Sequence, residues 1–274
     1  MKSNIIKVAC LLLLVTPLHA QQGADVAMLI DVVAWGNEIK GLSLKSGSSK
    51  GKITALGFRY SAPVAYSGPA VMEIYQTESQ AAEPARELSA QDKAHELHPL
   101  IFEEKSNPDN KSAPKQGVAL ELEKRRKKNP ALVALAVLPG GGCRRATVLL
   151  APAATGTYIA YVIDDDPSKL LVGQLRIHNL SPVPISVRCN GKPAKELNTR
   201  ESLVTPATNQ QLIYELAYKA GDEWQIQENN VIPVRAHEQS QMIILKSSHS
   251  YFMSSDGASG GFLQIVTLRR SPKP

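Results

Sequence analysis

Two stretches of this chain repeat one another. LSLKSGSSKGKI (Leu42 to Ile53) and ISVRCNGKPAKE (Ile185 to Glu196) align without gaps, placing Leu42 on Ile185, Leu44 on Val187, Lys45 on Arg188 and Lys52 on Lys195, an offset of 143. Each alternates apolar and polar residues and then turns on small residues, Gly47 in one and Asn190-Gly191 in the other, the pattern of a β-hairpin. VMEIY (Val71 to Tyr75) falls opposite LIYELAY (Leu212 to Tyr218) at a similar offset. Further on, VLPGGGCRRATVLLAPA (Val137 to Ala153) lies over IPVRAHEQSQMIILKSS (Ile232 to Ser248) at an offset of 95, with Val148, Leu149 and Leu150 on Ile243, Ile244 and Leu245. A chain duplicated in this way builds one unit twice. The difference between 143 and 95 assigns 48 residues to the first copy alone, between Tyr75 and Pro130.

Composition singles out the same place. Gln76 to Lys128 is rich in Ala, Glu, Lys, Gln, Ser and Pro and lacks strand-like alternation. Such a segment cannot bury enough apolar surface to offset its ordering entropy. It reads as a long, polar, partly disordered insertion over about 76–130, with helical turns near Leu88 to Leu97 and Val118 to Arg126. His95, Leu97, Leu100, Ile101 and Phe102 are the residues that would dock it on the body. The dense basic run Lys124 to Lys128 (KRRKK) reads as a solvated helix end, where cations meet the negative end of the dipole. Contact with anionic lipid or lipopolysaccharide is the alternative.

The rest is strand language: short runs with β-branched or alternating apolar residues, separated by Gly, Ser, Asn and Pro. Strands are expected in the second copy near 172–178, 183–189, 212–218, 224–228, 231–236, 241–246 and 261–268. Seven short strands in about 100 residues suggest an immunoglobulin-like sandwich, although the Cys, Trp, Cys spacing of antibody domains is missing. The expectation is an all-β protein of two tandem immunoglobulin-like β-sandwich units: residues 21–166, which carry the insertion, and residues 167–274. Asp164 to Pro167 (DDDP) punctuates the chain between them, because three acids and a proline suit neither strand nor core. DDDPSK is long enough for a hinge.

LRIHNLSPVPISVRCNGKPAKEL (Leu175 to Leu197) resembles the opening of a repeat domain found in many exported bacterial proteins. Those repeats begin with an Arg-containing strand, then an Asn-x-Ser-Pro corner, then an alternating strand ending in a small-residue turn. The resemblance spans 23 residues and implies an exported β-sandwich with no assigned activity and no functional residue. The first copy departs from it, with Gly36, Asn37 and Glu38 opposite Asn179, Leu180 and Ser181 and no proline.

Residues 1–20 read as an export signal: Lys2 and Lys7, an apolar run from Ala9 to Val15, and the polar end TPLHA, too short to span a bilayer. Cleavage after Ala20 would leave 254 residues starting at Gln21, and losing Lys2 and Lys7 would lower the formal charge from +6 to +4. No later stretch approaches the roughly 18 apolar residues of a membrane helix, so the expected location is the periplasm or the outside of the cell. The modest charge, with acids and bases alternating along most of the chain, argues against nucleic acid. Cys143 and Cys189 survive processing and form a candidate disulfide in an oxidising compartment, with two buried free thiols as the alternative.

Catalytic and cofactor motifs do not stand out. There is no Gly-x-Ser-x-Gly elbow. A Ser, His, Asp set can be assembled on paper from Ser254 to Gly261, His237, His249, Asp222 and Asp256, as in any chain of this size. His95 and His98 with Glu96 make half a zinc site. Asp164, Asp165 and Asp166 offer oxygen ligands for calcium, but as consecutive residues they point different ways, and an acidic interdomain turn is the plainer reading. Gly140 to Gly142 precede a strand, TVLLA, where a phosphate loop needs a helix. Tyr214 and Tyr218 share a sheet face with Leu212 and Leu216 and read as core, and Trp224 as a domain edge. The expected function is a non-catalytic envelope or extracellular interaction module, without cofactor, that presents loops and edges to a protein or surface polymer. The alternatives are a hydrolase of envelope polymers, with its site near Asp164 to Asp166 and His178, and a calcium-dependent adhesion module using the aspartates.

Overall fold

The computed structural model describes residues 25–46, 49–76, 115–153, 156–246 and 262–271. The expected export signal, His95, Glu96, His98, the helical turns at 88–97, His249, Asp256 and Ser254 to Gly261 lie outside these residues.

Sixteen strands make up the described chain. The first eight are β1 (Asp25–Ala34), β2 (Ile39–Ser46), β3 (Ser49–Gly57), β4 (Val64–Pro69), β5 (Val71–Gln76), β6 (Leu132–Val137), β7 (Arg145–Pro152) and β8 (Tyr158–Asp164). The second eight are β9 (Gln174–Asn179), β10 (Ile185–Cys189), β11 (Lys195–Leu197), β12 (Ser202–Pro206), β13 (Gln211–Ala220), β14 (Glu223–Pro233), β15 (Gln239–Lys246) and β16 (Leu263–Arg270). One helix, α1 (Lys115–Arg126), stands among them. The protein is all-β.

Each strand of the first set has its counterpart eight strands later, with the same neighbours. β3-β2-β5-β6 recurs as β11-β10-β13-β14, and β4-β1-β7-β8 recurs as β12-β9-β15-β16. The one parallel pair of the pattern also recurs: β1 with β7, and β9 with β15. Alternation at period two sends one face of each strand inward. Ile30, Val32, Val148 and Leu150 meet Leu42, Leu44, Met72 and Ile74 in one core, and Leu175, Ile177, Met242 and Ile244 meet Ile185, Val187, Leu212 and Leu216 in another. An extra parallel pairing in the first set, Val33 with Leu56 and Ala34 with Gly57, joins its two layers into one sheet. It needs Gly57, because a Cβ there would be driven into the carbonyl oxygen of Gly36.

The ungapped offset of 95 is corrected by the packing: it lays Val148 and Leu150, which face the first core, on Ile243 and Leu245, which face the opposite way, whereas Met242 and Ile244 are the β15 residues that face the second core. A slip of one residue reverses every side chain of a strand. After Asn179, β9 leads through a corner into β10. In the second copy this corner is built by side chains. Buried Asn179 donates from Nδ2 to the carbonyls of Val183 and Leu197, both at 2.9 Å, and its Oδ1 accepts from the amide and hydroxyl of Ser181 at 3.0 and 2.6 Å. An asparagine does this because its amide both donates and accepts while the backbone turns.

The insertion enters between β5 and β6, as the repeat offsets require, and its last part is α1. Val118, Leu122 and Arg125 lie on the half-buried side of the helix, and Leu120, Glu123 and Lys124 on the exposed side. Arg125 fastens the helix by ion pairs of 2.7 Å each to Glu121 and to Glu73 on β5. Lys124, Arg125 and Arg126 occupy the last turn, as expected for cations at a helix C-terminus.

Candidate functional site

The second face of the central strands is also buried. β1, β7, β9 and β15 are covered on both sides, since the outer face of β1-β7-β8 packs on the outer face of β9-β15-β16. One end of this contact is apolar: Val33, Trp35, Leu149 and Ile163 against Ile243, Leu245 and Leu268. Trp35 meets Phe58 edge-on at 5.5 Å, and its Nε1 donates across the contact to Gln264 at 2.9 Å.

The other end holds the largest collection of buried charge. Arg145 forms a two-pronged pair with Asp31, at 2.7 and 3.0 Å. Arg270 spans Asp31 and Asp165, at 2.7 and 2.6 Å, with its guanidinium 4.0 Å from the ring centre of Tyr60. Asp165 also accepts from Thr147 Oγ1 at 2.7 Å and from Gln241 Nε2. The Gln241 Oε1 is then left to accept from His178 Nε2 at 2.7 Å, which fixes the tautomer of the ring. Asp31, Thr147, Asp165, Gln241 and His178 are all buried. Two carboxylates and two guanidiniums thus balance, the carboxylates buried and the guanidiniums largely so. Burial drives the imidazole of His178 down to about 4, against the Gln241 hydrogen bond and helped by nearby Arg176, so it is neutral at physiological pH. Burial likewise pushes the Asp165 carboxyl up, and Arg270 and Thr147 only partly oppose it.

The aspartates of DDDP do not face one another. Asp164 pairs with Lys169 and accepts from Cys143 Sγ at 3.3 Å. Asp165 enters the buried network, and Asp166 caps a short 3-10 turn (Pro167–Lys169), accepting from the Ser168 amide at 3.0 Å and hydroxyl at 2.8 Å. These bonds, with Arg144, hold the Asp166 carboxyl well below the usual carboxylate range. Among the described residues no group of three His, Cys, Asp or Glu side chains is placed to hold a metal ion. The expectation that DDDP belongs in neither strand nor core is corrected, because Asp164 ends β8 and Asp165 and Asp166 are buried. A hinge at DDDPSK is corrected too. Arg176 donates to the carbonyls of Asp164 and Lys169, and Gln239 to those of Pro167 and Leu170, so the connection is fastened along its length.

The disulfide expectation is also corrected. Cys143 and Cys189 are free, buried thiols in separate cores. Burial pushes both thiols up, away from the reactive thiolate. Gly141 and Gly142 adopt positive φ in a turn that leads into strand β7, with no helix to complete a phosphate site. His237 is exposed beside Glu238, 3.8 Å away, and Asp222 is exposed in the turn between β13 and β14. Tyr214 lies in the second core and Tyr218 packs against it, stacked on Phe262.

Sequence reasoning named Asp165 and His178 but missed Asp31, Arg145, Arg270 and Gln241. A signal was present: charged or amide residues at alternate positions of strongly apolar strands, as in AMLIDVVAW, RRATVLLA and QSQMIILK. Such positions mark a second buried face.

Exposed apolar surface gathers elsewhere, on β13 and β14. The outward residues Ile213, Ile226, Val231 and Trp224 lie along one stripe, with Ile213 opposite Val231 and Ile226 opposite Ala217, and the polar pair Glu215 and Asn229 between them. Ile226 is 70% exposed. β14 ends its sheet, and among the described residues its far edge has no partner. The counterpart β6 is covered, with Leu132 to Ala136 all buried beside α1. Among the described residues no helix is long and apolar enough to cross a membrane. No protein-family model matches the chain, and no curated protein matches it significantly.

Proposed function

We propose that this is an exported, non-catalytic interaction module of the cell envelope or extracellular space. In this reading residues 1–20 direct export to the periplasm or beyond, and residues 21–166 and 167–274 are two tandem immunoglobulin-like sandwiches, the first interrupted by the insertion. They act as one rigid body that holds out the free edge of β14. The partner is an extended segment of another exported protein, which adds a strand to that edge. Main-chain hydrogen bonds supply the affinity, and the stripe of Ile213, Trp224, Ile226 and Val231 receives the apolar side chains. Glu223 and Glu228 are the only charges on β14, which favours a segment with Lys or Arg among its apolar residues.

The observation that carries this reading is the contrast between equivalent strands. Natural sheets blunt or cover long apolar edges, because bare ones pair with other chains. Here β6 is covered, and among the described residues the eleven-residue β14 is bare. The buried charge cluster supports it from the other side: the carboxylates of Asp31 and Asp165 are buried and each is paired with an arginine, which suits a joint rather than a site that must admit substrate.

A photo-crosslinking residue placed at Ile226 in the producing cell is expected to yield one discrete protein adduct, and the same residue at exposed Lys195 none. Absence of any adduct from positions 213, 224 and 226 would overturn the reading.

A further inference from the structure

A basic surface lies on the opposite sheet system, around α1, and does not depend on the β14 edge. Lys124 to Lys128 brings five positive charges to a chain whose formal net charge is +6, so the rest of the molecule is close to neutral. The fold adds to this run. Arg125 reaches Glu73 on β5, and Lys45 of the neighbouring β2 is close enough to help hold the Glu73 carboxyl ionised. Burial opposes that ionisation, but hydrogen bonds from Tyr75 and Arg125 prevail and keep the carboxyl below its ordinary range. Lys52 lies opposite Ser43 on the adjoining β3. The helix end and the β2-β3 hairpin, some 75 residues apart in the chain, thus form one surface.

The acids beneath this surface are neutralised from within. Arg125 binds both Glu73 and Glu121 at 2.7 Å, so Lys45, Lys52, Lys124, Lys127 and Lys128 face solvent without an ion pair among the described residues. One acid, Glu123, stands beside them on the helix. At 100° per residue, Lys124 lies one turn after Leu120 on the exposed side of the helix, and Lys127 and Lys128 follow in the exposed turn beyond its end. Leu120 is 65% exposed, while Val118 and Leu122 turn toward the body. An exposed leucine one turn before a basic helix end gains nothing from a hydrophilic polymer. It gains from the boundary between phosphate headgroups and acyl chains, where cations stay in the headgroup layer.

We infer that this surface binds a membrane of anionic phospholipid, with Lys45, Lys124 and Lys128 on the lipid phosphates and Leu120 inserted at the acyl boundary. Lysines act here as point charges, so the affinity follows charge density and falls with salt. Each lysine contributes about fivefold in partitioning.

Co-sedimentation of the purified protein with vesicles tests it. Binding is expected to phosphatidylglycerol vesicles and not to phosphatidylcholine vesicles, with loss at high salt. The variant K45Q/K124Q/K128Q is expected to bind phosphatidylglycerol about a hundredfold more weakly. L120S is expected to bind it about tenfold more weakly and to keep its affinity for soluble polyphosphate. All four positions are exposed, so unchanged melting curves establish that the variants fold. Equal binding to both vesicle types, or a triple variant that binds like the parent, would overturn the inference. So would polyphosphate binding as tight as vesicle binding with no effect of L120S, which would make the ligand a soluble polyanion.

Discussion

At the scale of single residues, Arg270 is the hinge pin of the charge network, since it is the cation shared by Asp31 and Asp165. A buried pair adds little over an apolar replacement, but removing one partner strands the other charge. Arg270→Leu leaves Asp165 with no cation and is expected to cost about 3–5 kcal/mol in urea denaturation. Asp165→Asn in that background should restore part of it. His178 makes the same region sensitive to acid. Its folded value lies near 4 against 6.5 for the free side chain, so between those limits the unfolded chain binds the extra proton. Stability is therefore complete above pH 6.5 and falls as the pH drops toward 4, by roughly 3 kcal/mol. Asp165 acts with the opposite sign: its carboxyl is raised above 3.8 in the fold, so acid favours the native state there and blunts the lower end of the decline. Denaturation midpoints measured across this range should flatten in H178Q. A wild-type midpoint that does not move with pH would contradict the burial of His178.

At the scale of elements, the corner after β9 concentrates several bonds on one side chain. Asn179→Ala removes both acceptor contacts to Ser181 and the Nδ2 bonds to the Val183 and Leu197 carbonyls, leaving Val183 with the Ser181 hydroxyl, and should lower stability by about 2 kcal/mol, read from the melting of the purified protein. The hairpins, the insertion point and the basic helix end could be read from the chain, because period-two alternation and composition are local properties. Other elements could not. Ser202 to Pro206 forms β12, but three of its five residues are exposed and its alternation is too short to register. Lys195–Leu197 is three residues long. Asn229-Asn230 read as a break between two strands, whereas β14 runs through them, paired with Glu215 and Tyr214. Tertiary pairing overrode a turn-forming dipeptide there. Asp165 read as solvated for a similar reason: its partner Arg270 lies 105 residues away, and its burial depends on a contact between copies that no local pattern announces.

At the scale of the whole molecule, the two sets of strands share a third core, and the connection between them is fastened by Arg176 and Gln239. Two free thiols, one in each core, contribute no clamp, so the apolar contact and the charge network must join the sets. Trp35 belongs to that contact, and Trp35→Ala should cost about 3–5 kcal/mol and loosen the sets from one another. The most direct measurement is scanning calorimetry of the parent and of W35A. A body joined through a continuous core unfolds as one, with calorimetric and van't Hoff enthalpies equal in the parent, and separates into two transitions only in the variant. Two resolved transitions in the parent, each unaffected by Trp35→Ala, would mean that the sets fold independently and that the buried charges do not serve as a joint.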